Sequence, residues 1–391
     1  MSPHAIITDP SESRPSEDLA KFAVTKNAFL PEESPSTFLS DPYYEPWEVI
    51  AQHLPTLIES RRIHKTVGEL PILTTERLRS QAEWRRAYVL LAFITHAHIW
   101  GGDKPCEILP PQITIPFLRV SAHLELPRRT ESESWFFLIS VAMEAKAGSI
   151  LQTMTTALKA VKSRNYEVII DALNELRKCI EGVGILLERM YEKCDPMTFY
   201  HKIRPFLAGT KNMEEAGLPK GVFYDEGDGK GEWKKLRGGS NGQSSLIQFF
   251  DVVLGVDHNG HGDVNQKSFH SEVREYMPGP HRRFLIHVVR MGSIRELALV
   301  QPVTDEQHRL RKAYTAATEA LSNFRNKHIQ IVTRYIILPS KQPWSGSRQN
   351  LASSSSARKG EELTGTGGTT LVPFLKQARD ETVEAGKLER R

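Results

Sequence analysis

Apolar residues after residue 134 recur at alternating steps of three and four, the spacing that keeps side chains on one face of an α-helix. Phe136, Ser140, Met143, Ala147, Ile150, Met154, Ala157 and Val161 form one stripe, and Ile169, Leu173, Leu176, Ile180, Val183, Leu187 and Met190 form the next. A third stripe runs through Leu310, Tyr314, Ala317, Leu321, Phe324, His328, Ile331, Tyr335 and Leu338. It opens at the capping-box sequence Thr304-Asp-Glu-Gln307 and is stopped by Pro339. At about 1.5 Å per residue, this helix is roughly 50 Å long and can cross a whole domain. Pro46 to Ser60 and Ala82 to Trp100 also read as helical, the latter apolar almost all round and therefore buried, and Gln243 to Leu254 contains a compact apolar helix. No β-rich section competes, so the expected fold class is all-α.

The punctuation of the chain suggests its domains. Residues 1–43 carry Pro, Ser and acids without helical period and read as an irregular arm. Residues 44–127 form a small helical domain closed by a connector from Leu109, in which Pro110, Pro111, Pro116 and Pro127 break any long helix. Residues 128–391 form a large helical domain, with a Ser/Gly-rich mobile loop at 340–369. A length of 391 residues agrees with two domains and leaves room for a sizeable cofactor.

Composition narrows the chemistry. The longest apolar run, Ala87 to Ile94, is far too short to span a bilayer, and the N terminus has no signal-peptide pattern, so a cytoplasmic location is expected. A net charge of +4, without basic runs interleaved with aromatics, argues against nucleic acid. Cys106, Cys179 and Cys194 fit no paired spacing, so neither a disulfide framework nor a thiolate zinc site is expected. Metal chemistry would then rest on histidine or carboxylate.

Two residues stand out of place. His328 interrupts the apolar seam of the long helix, where an imidazole needs a partner. It is either a core histidine bonded to a carbonyl or an axial haem ligand. Asp251 sits inside Leu246-Ile-Gln-Phe-Phe-Asp-Val-Val-Leu254, and Arg325, one turn before His328, is its candidate counter-ion. His96 and His98, two apart on a helix, do not chelate one metal together, and His258 and His261 read as parts of a polar Gly-rich turn.

Asn326-Lys-His-Ile-Gln-Ile-Val-Thr-Arg-Tyr-Ile336 resembles the proximal-histidine helix of the indoleamine 2,3-dioxygenases, haem enzymes that open the indole ring of tryptophan. Ile50-Ala-Gln-His-Leu-Pro55, Trp135-Phe-Phe-Leu-Ile-Ser140, Phe199-Tyr-His-Lys-Ile-Arg204, Gly238-Gly-Ser-Asn-Gly-Gln-Ser-Ser245, Tyr276-Met-Pro-Gly-Pro-His281 and Gly365-Thr-Gly-Gly-Thr369 match in the same order. The resemblance implies a small helical domain beside a large one that sandwiches haem b. It implies His328 as the iron ligand, Ser140 and Phe136 on the distal side, Arg204 for the substrate carboxylate and Phe199 facing the indole. Gly239, Ser240 and Asn241 would line the pocket near a haem propionate, and Thr366 would belong to the loop closing over the amino acid.

The implied reaction inserts O2 across the indole C2–C3 bond of L-tryptophan, giving N-formylkynurenine as the first step of the kynurenine pathway towards NAD synthesis. The implied state is monomeric, and no side-chain nucleophile or acid–base group is required. One departure from the family pattern is visible. Arg128-Arg-Thr-Glu-Ser-Glu-Ser134 leads straight from Pro127 to Trp135, where a helix lining the distal pocket is expected. A haem-binding member without the tryptophan activity is the alternative this gap implies.

Overall fold

Two apolar cores are seen in the computed structural model, which describes residues 17–102, 104–124, 134–211, 213–214, 217–239, 243–258, 269–343, 363, 365–366 and 370–388. The expected break between Pro127 and Trp135, together with Ser240, Asn241, His261 and most of the loop expected at 340–369, lies outside the described residues. Phe136 belongs to a described helix, but its side chain is outside the description.

The smaller core is built on α1 (Glu45–Gln52), α2 (Ile63–Gly68), α3 (Gln81–Trp100) and α4 (Pro111–His123). Its neighbours surround α3, which is why that helix is apolar on every side. Helix α4 corrects the expectation of a proline-broken connector. Pro110 and Pro111 stand at its N terminus, where no N–H is needed. Pro116 lies inside it at the cost of one main-chain hydrogen bond, held by a buried face of Ile113, Pro116, Phe117 and Val120.

A small sheet adds to the all-helical expectation. Strand β1 (Ile108–Leu109) pairs parallel with β2 (Val222–Gly227), placing Ile108 opposite Phe223. Strand β3 (Lys230–Lys234) runs antiparallel to β2, with Phe223 opposite Trp233. The connecting turn puts Gly227, Asp228 and Gly229 at positive φ, a conformation glycine and aspartate tolerate. Through this hairpin and Ala208, Met213 and Leu218, the chain returns to complete the smaller core.

The larger core assembles α5 (Ser134–Lys146), α6 (Ile150–Val161), α7 (Tyr166–Glu188), α8 (Ser245–Leu254), α9 (Gly279–Met291), α10 (Asp305–Val332) and α11 (Leu371–Gly386). Leu19, Val24, Ala28 and Phe29, within the expected arm, are buried in it. The stripe expected to run unbroken from residue 136 to 161 is interrupted at 147–149. There a Cβ on Gly148 would lie 2.1 Å from the Lys26 carbonyl oxygen, so the helix breaks where the N-terminal segment crosses it.

Helix α10 starts at the expected capping box, Thr304 and Gln307 each bonding the other's main-chain N–H, and packs mainly on α7 and α11. Its seam is buried as expected through Tyr335 except at His328, which is half-buried, and Leu338 is 50% exposed. The turn Thr333–Ile337 is π-helical, and the extra residue rotates the following face so that Pro339 is buried instead. Among the described residues, no helix is long and apolar enough to cross a membrane.

Candidate functional site

Both cores contribute to the wall of a cavity of about 1160 Å³. The smaller core provides Tyr88, and the larger provides Ile139, Phe199, Ile331 and Tyr335. His328 stands on the seam of α10, half-buried, and lines this cavity. Burial, aided by the nearby Arg325 cation, pushes its pKa down to about 4. The ring is therefore neutral at physiological pH, the form in which an imidazole can bind a metal.

A charge network anchors α10 one turn before His328. The Arg325 guanidinium lies 2.7 and 2.9 Å from the two Asp251 carboxylate oxygens and also donates to Thr382 on α11. This is the ion pair the sequence suggested. His258, read from sequence as part of a polar turn, is instead buried within the network, 3.1 Å from Asp251 and 2.6 Å from Glu381. Its ring stacks on His270 at 3.9 Å.

Burial disfavours every charge here, yet the pairs prevail. Asp251 is held below the usual carboxylate range by Arg325 and His258, and His258 is raised by its bonds to Asp251 and Glu381. Asp251→Asn leaves the buried arginine without its counter-charge and is expected to cost about 3 kcal/mol. Thermal or urea unfolding monitored by helical circular dichroism would read that loss.

Phe199 and Arg204 reach the cavity through an unusual pair of turns. The π-helical turn Phe199–Ile203 leads directly into the tight 3-10 turn Arg204–Leu207. Arg204 is buried, 5.5 Å from the centre of the Tyr200 ring. Burial lowers its pKa from the ordinary value, but an arginine remains cationic. Phe199 meets Tyr335 edge to face at 5.6 Å, and Tyr335 is fixed through its hydroxyl to the carbonyls of Met190 and Cys194.

Main chain packed on the second of these turns forms another part of the cavity wall. A Cβ on Gly238 would lie 2.2 Å from the Thr366 carbonyl oxygen and 2.3 Å from that of Leu207, so only glycine lets these segments meet. The Gly238 N–H donates to Thr366 O at 3.1 Å, the Gly239 N–H donates to Leu207 O at 2.7 Å, and the Thr366 hydroxyl donates to Gly239 O. Gly239 and Thr366 thus line the cavity together although 127 positions separate them.

Helix α5 contributes Ser140 and, one turn on, Glu144, which the sequence reading did not single out. Glu144 accepts a 2.7 Å bond from the Ser244 hydroxyl, while its Oε2 is shielded from solvent without a hydrogen-bond partner among the described residues. Burial pushes the carboxyl up to about 7. Because the folded pKa lies above the ordinary 4.5, the folded state holds this proton more tightly; its contribution is complete below about pH 4.5 and is lost as pH rises through about 7. Glu144→Gln is therefore expected to leave the melting temperature nearly unchanged at pH 5 and raise it at pH 8. The upper bound is on the order of 3 kcal/mol.

Of the residues singled out from sequence, His328, Ser140, Phe199, Arg204, Gly239 and Thr366 line this one cavity, with Asp251 and Arg325 directly behind it. The indoleamine 2,3-dioxygenase family model matches residues 18–129 and 128–385. The chain is 36% identical to an indoleamine 2,3-dioxygenase of Aspergillus nanangensis, covering 94% of this chain and 97% of that one. It is 35% identical to the Saccharomyces cerevisiae indoleamine 2,3-dioxygenase, over 97% and 96% of the two chains. A 6-hydroxytryptophan 2,3-dioxygenase of Fusarium equiseti is also 35% identical, over 91% and 95%.

Proposed function

The chain belongs to the indoleamine 2,3-dioxygenase family, and from that membership we propose that it is a haem-dependent dioxygenase converting L-tryptophan and O2 to N-formylkynurenine. The observation that carries this reading is the convergence of a neutral histidine, a buried arginine and the Gly239–Thr366 contact on one cavity. The donor set suits haem. His328 offers a neutral imidazole, and the cavity wall carries apolar and aromatic side chains such as Ile139, Met143, Phe199, Ile331 and Tyr335, with polar and charged groups including Ser140, Glu144 and Arg204 among them. When bound, the haem would supply the iron chemistry that activates O2.

The chain's own residues do the rest. His328 would hold the iron. Arg204 grips the substrate carboxylate through paired hydrogen bonds, fixing orientation as well as position. Phe199 offers the indole an aromatic face, and Ser140 places a small hydroxyl at the cavity wall beside it. The Thr366 bond to Gly239 closes the polar end and limits entry of water. Both oxygen atoms enter the product and the indole C2–C3 bond breaks, so the reaction needs no net proton donor or acceptor.

The relative that acts on 6-hydroxytryptophan makes ring-substituted tryptophans the natural competing substrates. Incubating the reduced, haem-loaded protein with each amino acid under O2 tests the proposal, with product mass as the readout. The expected product is heavier than its substrate by two oxygen atoms. A specific observation favours one second reading: the family match divides at residues 128–129, where the distal-pocket segment is expected. Full haem loading with both amino acids recovered unchanged would support a haem-binding member without this activity.

A further inference from the structure

We propose that His64, His98 and Cys106 form a zinc site on the smaller core, away from the cavity. His64 comes from α2, His98 from the last turn of α3, and Cys106 from the loop leading to β1. A ring nitrogen of each histidine and the Cys106 sulfur lie within 4.8 Å of one another. None of the three lines the haem-sized cavity. The sequence spacing concealed this group, because His64 and His98 are 34 positions apart and are brought together only by the packing of α2 on α3.

The hydrogen bonds prepare both rings to bind a cation. His64 Nε2 lies 2.7 Å from the His98 carbonyl, and His98 Nε2 lies 3.3 Å from the Ile108 carbonyl. A carbonyl can only accept, so each Nε2 carries the N–H and each Nδ1 carries the lone pair. This is the arrangement by which metal-bound histidines are usually oriented. His98 Nδ1 is buried without a hydrogen-bond partner among the described residues, and the residue is only 5% exposed. An unmet buried acceptor costs about 1–3 kcal/mol, which a metal bond relieves.

Burial also keeps the His98 ring away from solvent. The carbonyl end of α3 adds partial negative charge beside it. Gly102 keeps the loop close to His64, since a Cβ there would lie 2.7 Å from the His64 ring.

Two imidazoles and a thiolate, with no carboxylate, select zinc over magnesium or calcium. Tetrahedral zinc bonds place ligand atoms roughly 3.5 Å apart, so the triad must contract by about 1 Å at its widest. Rotation of the half-buried Cys106 side chain provides that movement, and its thiol proton passes to solvent as the zinc–sulfur bond forms. Water takes the fourth position.

The test uses untagged, haem-loaded, full-length protein with zinc chloride. The readouts are zinc content after dialysis and the rate of Cys106 alkylation by iodoacetamide, followed by peptide mass spectrometry. The expected result is one zinc per chain and alkylation slowed by about tenfold or more, with haem absorption unchanged. His64→Gln and Cys106→Ser, both at incompletely buried positions, are expected to lose that zinc while keeping haem. Unchanged Cys106 alkylation in the presence of zinc, or zinc retention by either variant equal to that of the parent protein, would overturn the assignment.

Discussion

Replacing His328 with alanine is expected to yield a folded protein that retains no haem through gel filtration. The imidazole belongs to the seam of α10 but opens on the cavity, so its loss would remove the proposed iron ligand without hollowing the centre of the core. Arg325 and its partners Asp251 and Thr382 remain to hold α10 against α8 and α11. The control is His281→Ala. His281 also lines the cavity and is also neutral, with burial lowering its pKa to about 4. Its Nδ1, however, lies 3.2 Å from the Ser245 hydroxyl and its ring packs on Phe29 at 4.8 Å. That variant should keep its haem. Added imidazole should restore haem absorption to His328→Ala by filling the vacated place. Stoichiometric haem in His328→Ala without imidazole would refute the axial assignment.

The second large effect is expected at Arg204. Arg204→Met keeps much of the side-chain volume but removes the charge and the paired donors. Truncating one member of a buried, hydrogen-bonded charge pair costs about 2–5 kcal/mol, so kcat/KM for L-tryptophan should fall roughly a thousandfold. Tryptamine, which has the indole but no carboxylate, separates binding from structure. If Arg204 grips the carboxylate, the variant and the parent protein should handle tryptamine within a fewfold of each other. If Arg204 mainly supports the turn at 199–207 through its contact with Tyr200, both compounds should suffer equally.

Helical period made most of the scaffold legible. The seams of α7 and α10 follow from spacing because both helices bury one continuous face. The same logic failed where a local feature changed the phase. The π-helical turn at 333–337 exposes Leu338, and the crossing of the Lys26 carbonyl at Gly148 splits one expected helix into two. Proline misled in α4, where tertiary burial outweighs the loss of one hydrogen bond. The hairpin carried a local sign in Gly227-Asp228-Gly229, but its strands are short and one partner, β1, has two residues.

Within the site, the Asp251–Arg325 pair was readable because a lone carboxylate in an apolar run demands a cation. His258 and Glu381 were not, since they approach from a loop and from α11. Glu144 could have been found from its place one turn after Ser140 on α5. The closeness of Gly239 and Thr366 depends on the Gly238 backbone packing, which no spacing encodes.

The most direct test of the central claim is the absorption spectrum of the reduced protein, loaded with haem and recorded without oxygen, before and after L-tryptophan is added. One histidine-ligated haem per chain is expected, with a change in its bands when the amino acid occupies the cavity. A chain that takes up no haem, or a haem spectrum indifferent to saturating tryptophan, would contradict it.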